Sequence, residues 1–169
     1  MSHTSRMYTR LGAVALLFAL TACSTPAPPP VPAPAPKLRD LATVDACTLL
    51  AEPDFATPFT KAPEPLNEPL SCRWTIEAQS VWMSIENESL EQAKLRVRDG
   101  SELTVESRKA WWGVTNDRSS VPQTSLGVVV TELAADRVLV MTAERTPPRY
   151  DIGMVARTRS VAVVQRLFS

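Results

Sequence analysis

The stretch LGVVVTELAADRVLVMTA, Leu126–Ala143, decides the fold class. Its arms, Leu126 to Leu133 and Arg137 to Ala143, are rich in β-branched residues and free of proline, and the polar turn near Ala134 to Asp136 separates them. This pattern predicts an antiparallel hairpin. A second hairpin is predicted upstream: Cys72, Trp74 and Ile76 alternate with Arg73, Thr75 and Glu77, and Val81, Met83 and Ile85 alternate with Trp82, Ser84 and Glu86. Ala78 to Ser80 connect these arms. Between the hairpins, Ser89 and Gln92 form a capping-box pattern ahead of Leu90, Ala93, Leu95 and Val97, so a helix is expected to run until Gly100 stops it. A short strand follows at Leu103–Ser107. Thr43–Glu52 reads as a short helix with Asp45 as N-cap, and the proline-rich 53–69 segment reads as an irregular connection. At the other end, Asp151 is placed to cap a last helix in which Ile152, Val155, Ala156, Ala162, Val163 and Leu167 share a stripe, with Arg157 and Arg166 off it. The expected fold is α+β: an antiparallel sheet of hairpins with N- and C-terminal helices packed on one face.

Composition narrows function mainly by exclusion. The 169 residues contain one histidine, His3, and three cysteines, Cys23, Cys47 and Cys72. Beyond residue 22 no imidazole is available, so triads, Cys-His dyads and His-ligated zinc sites are not expected, and no four-cysteine metal site can form. Lysines and arginines total 18 against 18 acidic side chains; Arg6 and Arg10 lie in the first 22 residues, which hold no acid, so the remainder is slightly acidic. It has no basic footprint for nucleic acid. No cofactor and no metal are expected.

The N-terminal segment reads as an address. Residues 1–10 carry Arg6 and Arg10, and Leu11–Leu20 (LGAVALLFAL) form an apolar core of ten residues. At about 1.5 Å per residue this is half the roughly 30 Å a spanning helix must cross, so it reads as a signal-peptide core, with Met1 or Met7 as start. Leu20-Thr21-Ala22-Cys23 then resembles the lipobox of bacterial lipoproteins. That resemblance implies a signal peptide over residues 1–22, cleavage before Cys23, and a diacylglycerol thioether with palmitate-type acyl chains on Cys23. Acyl chains of this kind contribute about 0.8 kcal/mol per buried methylene, and two together hold a protein stably on a bilayer. From Ser24 to Pro36, seven of thirteen residues are proline. Proline lacks the N–H for helix or ladder and restricts its predecessor, so residues 23–37 are expected to be a lipidated cysteine and a polyproline II tether reaching up to about 40 Å. The expected location is the extracytoplasmic side of the cell membrane, with residues 38–169 as a single domain.

In that oxidising compartment Cys47 and Cys72 are expected to pair, which leaves Cys23 as the odd cysteine and itself argues for lipidation. The lipobox, the tether, the Asp45-x-Cys47-x-Leu49-Leu50 helix and the Cys72-x-Trp74 strand together resemble an actinobacterial lipoprotein family of unknown function. In that family the helix and strand are disulfide-linked. The resemblance implies a fold akin to the photosystem subunit P fold and brings no catalytic residues.

The binding candidates are tryptophans. Trp82 lies on the strand face opposite Val81, Met83 and Ile85, and adjacent Trp111 and Trp112 cannot enter one core together, so one of them is expected to face outward. Glu86, Glu88 and Glu91 gather carboxylates that could serve hydrolysis, but a strand end followed by a helix start explains them equally well. Serines near Lys109 lack the S-x-x-K and G-x-S-x-G patterns. The expected protein is a non-enzymatic, lipid-anchored module that binds an envelope protein through Trp82, Trp111 or Trp112. The alternatives are a binder of a small hydrophobic ligand between sheet and helix, and a carboxylate-dependent hydrolase.

Overall fold

The structure is a computed structural model that describes residues 36–67, 70–97, 99–117, 124–149 and 151–168, without the side chains of 115–117. The predicted signal peptide, Cys23 and all of the tether before Pro36 lie outside the described residues. Among those described, no helix is long and apolar enough to cross a membrane.

Seven strands form one antiparallel sheet: β1 Glu64–Pro65, β2 Ser71–Ile76, β3 Gln79–Glu86, β4 Ser101–Val105, β5 Arg108–Asp117, β6 Thr124–Ala134 and β7 Arg137–Arg145. Their spatial order is β1-β2-β3-β7-β6-β5-β4. The hairpin read at residues 126–143 is therefore the centre of the sheet, and the 72–85 hairpin lies beside it through β3 and β7. Helix α1 is Leu90–Lys94 and helix α2 is Ile152–Leu167. The α+β class holds: the N-terminal segment, in 3-10 turns rather than a helix, packs in the same core as α2, while the middle helix α1 lies on the other face. Val129, Leu139 and Met141 pack with Ile152, Ala156, Val163 and Leu167 of α2, whereas their neighbours Val130 and Val138 pack with Leu90 and Ala93 of α1. Successive strand residues point to opposite faces, so α1 and α2 cover opposite sides of the sheet.

Several boundaries move for local reasons. Residues 43–52 form no α-helix: the chain makes three 3-10 turns, Leu41–Thr43, Ala46–Thr48 and Glu52–Asp54. Asp45 caps the second turn as expected, accepting from the Cys47 N–H at 2.9 Å, and Pro53 removes the donor a continuing helix would need. The β2–β3 turn is tighter than the 78–80 connection, with Glu77 left-handed at φ 45°. The segment 53–69 holds the short edge strand β1, paired to β2. The strand expected at 103–107 begins at Ser101 and ends at Val105, because Glu106 and Ser107 take φ 47° and 62° to turn into β5. The Ser89–Gln92 capping box forms, but α1 ends at Lys94, leaving Leu95 84% exposed. The left-handed position there belongs to Asp99, while Gly100 is required for room: a Cβ on it would fall inside the Trp111 indole. Asp151 precedes α2 without a side-chain cap; its carbonyl accepts from Met154 and Val155, and its carboxylate lies 3.6 Å from Arg149.

Two ties hold the N-terminal segment to this scaffold. The disulfide Cys47–Cys72 joins the second 3-10 turn to β2, with Cα atoms 5.1 Å apart. Arg166, near the end of α2, donates to both oxygens of Asp54 at 2.8 Å and to the Leu49 carbonyl at 2.6 Å. Burial raises the Asp54 proton affinity, but the Arg166 guanidinium and the Ala51 N–H outweigh it and hold the carboxyl below the usual carboxylate range. Exchanging both cysteines for serine is expected to lower stability by about 3 kcal/mol, from the regained freedom of a loop of this length, read in urea unfolding. Asp54→Asn is expected to cost about 1 kcal/mol near neutral pH, since the partly exposed Arg166 end screens the pair. Because the folded-state value is depressed, the gap between native and variant chains is complete above pH 3.8 and closes as pH falls through that lower value. Melting temperatures of the two chains across an acid series check this.

Candidate functional site

Of the three large apolar side chains exposed among the described residues, Leu95 follows α1, and the other two, Val114 and Met154, meet at the N-terminal end of α2. Here β5, β6 and α2 meet without spacer side chains. A Cβ on Gly127 of β6 would lie 2.7 Å from the Ile152 carbonyl oxygen, and one on Gly153 would lie 2.8 Å from ring carbons of Trp112 and from a methyl of Val114. The first turn of α2 therefore rests directly on β6 and against two β5 side chains. Thr146-Pro147-Pro148 brings the chain back to this point, where the Arg149 N–H donates to the buried Ser125 hydroxyl at 3.1 Å. The result is a cleft of about 340 Å³ between Trp112, Val114, Pro148, Arg149 and Met154. Met154 is 58% exposed and Val114 37%, with half-buried Trp112 beneath them. Large apolar side chains left in water side by side mark an interaction site more than scattered ones do.

Electrostatically the rim is basic. No acid occurs in Ile152–Leu167, Arg157 is exposed one turn along from Met154, and the N–H end of the helix adds partial positive charge. Asp151 offsets part of this beside Arg149.

The structure does not gather the three tryptophans. Trp112 faces α2 and lines the cleft. Trp111 faces the other way, packs on the α1 cluster, donates from Nε1 to the Val97 carbonyl at 3.3 Å and carries Lys94 Nζ 5.1 Å above its ring. The expectation that one of this pair turns outward is replaced by a different solution: each is half-buried, in a different core, because both faces of the sheet are covered here. Trp82 is also half-buried, on the α1 side of the sheet, with the Arg73 guanidinium 5.6 Å from its ring centre. Cross-strand neighbours Thr142 and Val128 continue its row.

The carboxylates converge on cations. Glu86 and Glu88 both accept from Arg96, and Glu91 pairs with Lys94 at 2.7 Å. Burial raises Glu86, but hydrogen bonds from the Ser84 hydroxyl and Arg96 hold it below its ordinary range; desolvation and neighbouring Glu86 push Glu88 up. Such a split resembles an acid–base pair, yet one guanidinium bridges both groups and neither lines the cleft. Among the described residues no three His, Cys, Asp or Glu side chains gather as a metal site.

Val114, Pro148 and Met154 are the residues that sequence reasoning missed. Met154 falls outside the α2 core stripe, which is a signal available in the sequence; the approach of Val114 and Pro148 depends on tertiary closure. Gly153→Val is expected to destabilise the domain by about 1–3 kcal/mol and to shift Trp112 fluorescence, because its first carbon already overlaps the indole and Val114. Thermal melts and emission spectra read both effects; unchanged emission would detach Trp112 from this contact.

No family model matches the chain, and no curated protein is significantly similar to it. Among solved structures, one Bacteroides thetaiotaomicron protein aligns at TM-score 0.44 and 6% identity over 57% of this chain, which spans 39% of that protein. The Saccharomyces cerevisiae Ran-binding protein Mog1p aligns at TM-score 0.29 and 12% identity, covering 58% of this chain and 75% of its own. At these scores neither likeness carries an assignment of fold family or function.

Proposed function

We propose that the chain is a lipid-anchored cell-envelope lipoprotein, held on the extracytoplasmic side of the membrane through acylated Cys23, and that it works as a non-enzymatic protein-binding accessory module. The finer assignments, an actinobacterial lipoprotein family and a fold akin to photosystem subunit P, belong to this proposal through the lipobox, the Asp45-x-Cys47-x-Leu49-Leu50 segment and Cys72-x-Trp74. One observation carries the binding role. The exposed pair Val114 and Met154 sits over Trp112 at the N-terminal end of α2, while Pro36, the last tether proline, lies at its other end among Glu106, Arg108, Val164 and Phe168. Sixteen residues of helix separate these ends by about 24 Å. Pro36 and the cleft thus sit at opposite ends of α2. The partner chemistry that fits is an extracytoplasmic protein segment with an apolar anchor for the cleft and acidic neighbours for Arg149 and Arg157.

Two measurements test the reading. Mass spectrometry of the native protein is expected to find an N-terminal peptide beginning at Cys23 with diacylglycerol mass; an unmodified Cys23 overturns the anchor. A photo-crosslinking side chain placed at position 154 in intact cells is expected to give a discrete adduct, absent from position 165 at the opposite end of α2. Val114→Asp should suppress it. Equal labelling from both positions, or an adduct indifferent to Val114→Asp, removes the cleft from the binding role.

A further inference from the structure

A second cleft lies at the Pro36 end of the domain, on the same face of the sheet as α2. It is held open by the N-terminal segment: the 3-10 turn Leu41–Thr43 and the following Val44 stand over the ends of β3 and β7, where Ile85 and Arg137 emerge. Leu70 closes one side. It is held left-handed at φ 55°, a conformation a leucine rarely adopts, while its carbonyl accepts from the Ile85 N–H at 3.2 Å. The space is about 430 Å³, within the range of small-ligand pockets. Its lining is mixed: Leu41, Val44, Leu70 and Ile85 form an apolar side, and exposed Asn87 and half-buried Arg137 a polar one.

Arg137 lines this space, and its charge is unanswered. Among the described residues it forms no ion pair, and its Nε–H is buried without a hydrogen-bond acceptor. This differs from Arg166 and Arg96, which are each held by carboxylates. The Nε atoms of Arg145 and Arg159 are buried without acceptors as well, so what sets Arg137 apart is that it lines the cleft with no carboxylate paired to it. A guanidinium facing the apolar side of this cleft fits an alkyl tail ending in a singly charged oxyanion, which the terminal nitrogens of Arg137 can receive while Leu41, Val44, Leu70 and Ile85 lie along the tail.

We propose that this cleft binds a medium-chain monocarboxylate amphiphile, with its carboxylate on Arg137. The site is separate from the Met154 cleft at the far end of α2, so either can fail without the other. The full chain, reconstituted in lipid nanodiscs, would be titrated with octanoate and in parallel with octanamide, which keeps the tail and loses the charge. Saturation-transfer NMR reads binding, and empty nanodiscs give the bilayer blank. Octanoate is expected to bind saturably and octanamide about tenfold more weakly or worse, the size of one lost charge-assisted contact. Arg137→Gln should erase the difference between the two, and Val44→Trp, which fills the cleft, should weaken both. Equal affinity for octanoate and octanamide in the native chain, no saturable binding of octanoate, or discrimination that survives Arg137→Gln would each overturn the proposal. The comparison of the two ligands on the native chain needs no variant to fold.

Discussion

The β6–β7 hairpin is apolar on both of its faces, and that double demand for burial organises the rest of the molecule. Val129, Leu139 and Met141 look one way, Val130 and Val138 the other, and all five are essentially removed from water. Each such side chain gains about 1.5–3 kcal/mol from full burial, so both faces need a cover. Sixteen-residue α2 supplies one. The other falls to α1, only five residues long, which would not persist alone in water. It persists here because its start is closed by the reciprocal Ser89–Gln92 hydrogen bonds, and because Trp111 stacks beneath Lys94 and donates to the Val97 carbonyl beyond the helix end.

This constraint explains which parts of the structure were legible from the residues. Long elements with a clear period were: α2 runs where its stripe placed it, both central hairpins pair as the alternation implied, and Cys47 meets Cys72. The unbroken apolar run Val128–Val130 belongs to a strand covered on both sides, which an expectation of cover on one face did not provide for. The same misjudgement turned Trp111 or Trp112 outward, when an apolar cover on each side offers both a home. Boundaries moved at the two tight turns where glutamates take the left-handed conformation, since Glu77 and Glu106 carry little turn signal by composition. Of the candidate site only Trp112 was visible in advance. Its neighbours come from β5, the Pro147-Pro148 turn and α2, and no spacing within one segment encodes their meeting.

The N-terminal segment is bound at its start as well as at its middle. Before the disulfide and the Asp54–Arg166 pair are reached, the Arg39 N–H already donates to the Leu167 carbonyl at 2.9 Å, closing the last turn of α2. Arg108 stacks 3.3 Å from the Phe168 ring centre beside Pro36, and burial lowers its proton affinity. Pro36 thus lies against α2 and the β4–β5 turn together rather than on a loose strand end.

A division of labour along α2 follows from these ties. Its C-terminal half is committed to the chain itself, through Arg166, the Leu167 carbonyl and buried Val163 and Val164. Its N-terminal half is tied by the core, through buried Ile152 and Ala156, and by Arg159 stacked 4.6 Å over the Phe55 ring. Gly153 lets it lie flush on Trp112 and Val114, and Met154 and Arg157 are left facing water. An exposed methionine beside an exposed valine is costly in a monomer unless something covers it, and methionine's flexible thioether adapts to partners of uneven shape. The end of the helix that buries Ile152 against the sheet is also the end that leaves Met154 in water.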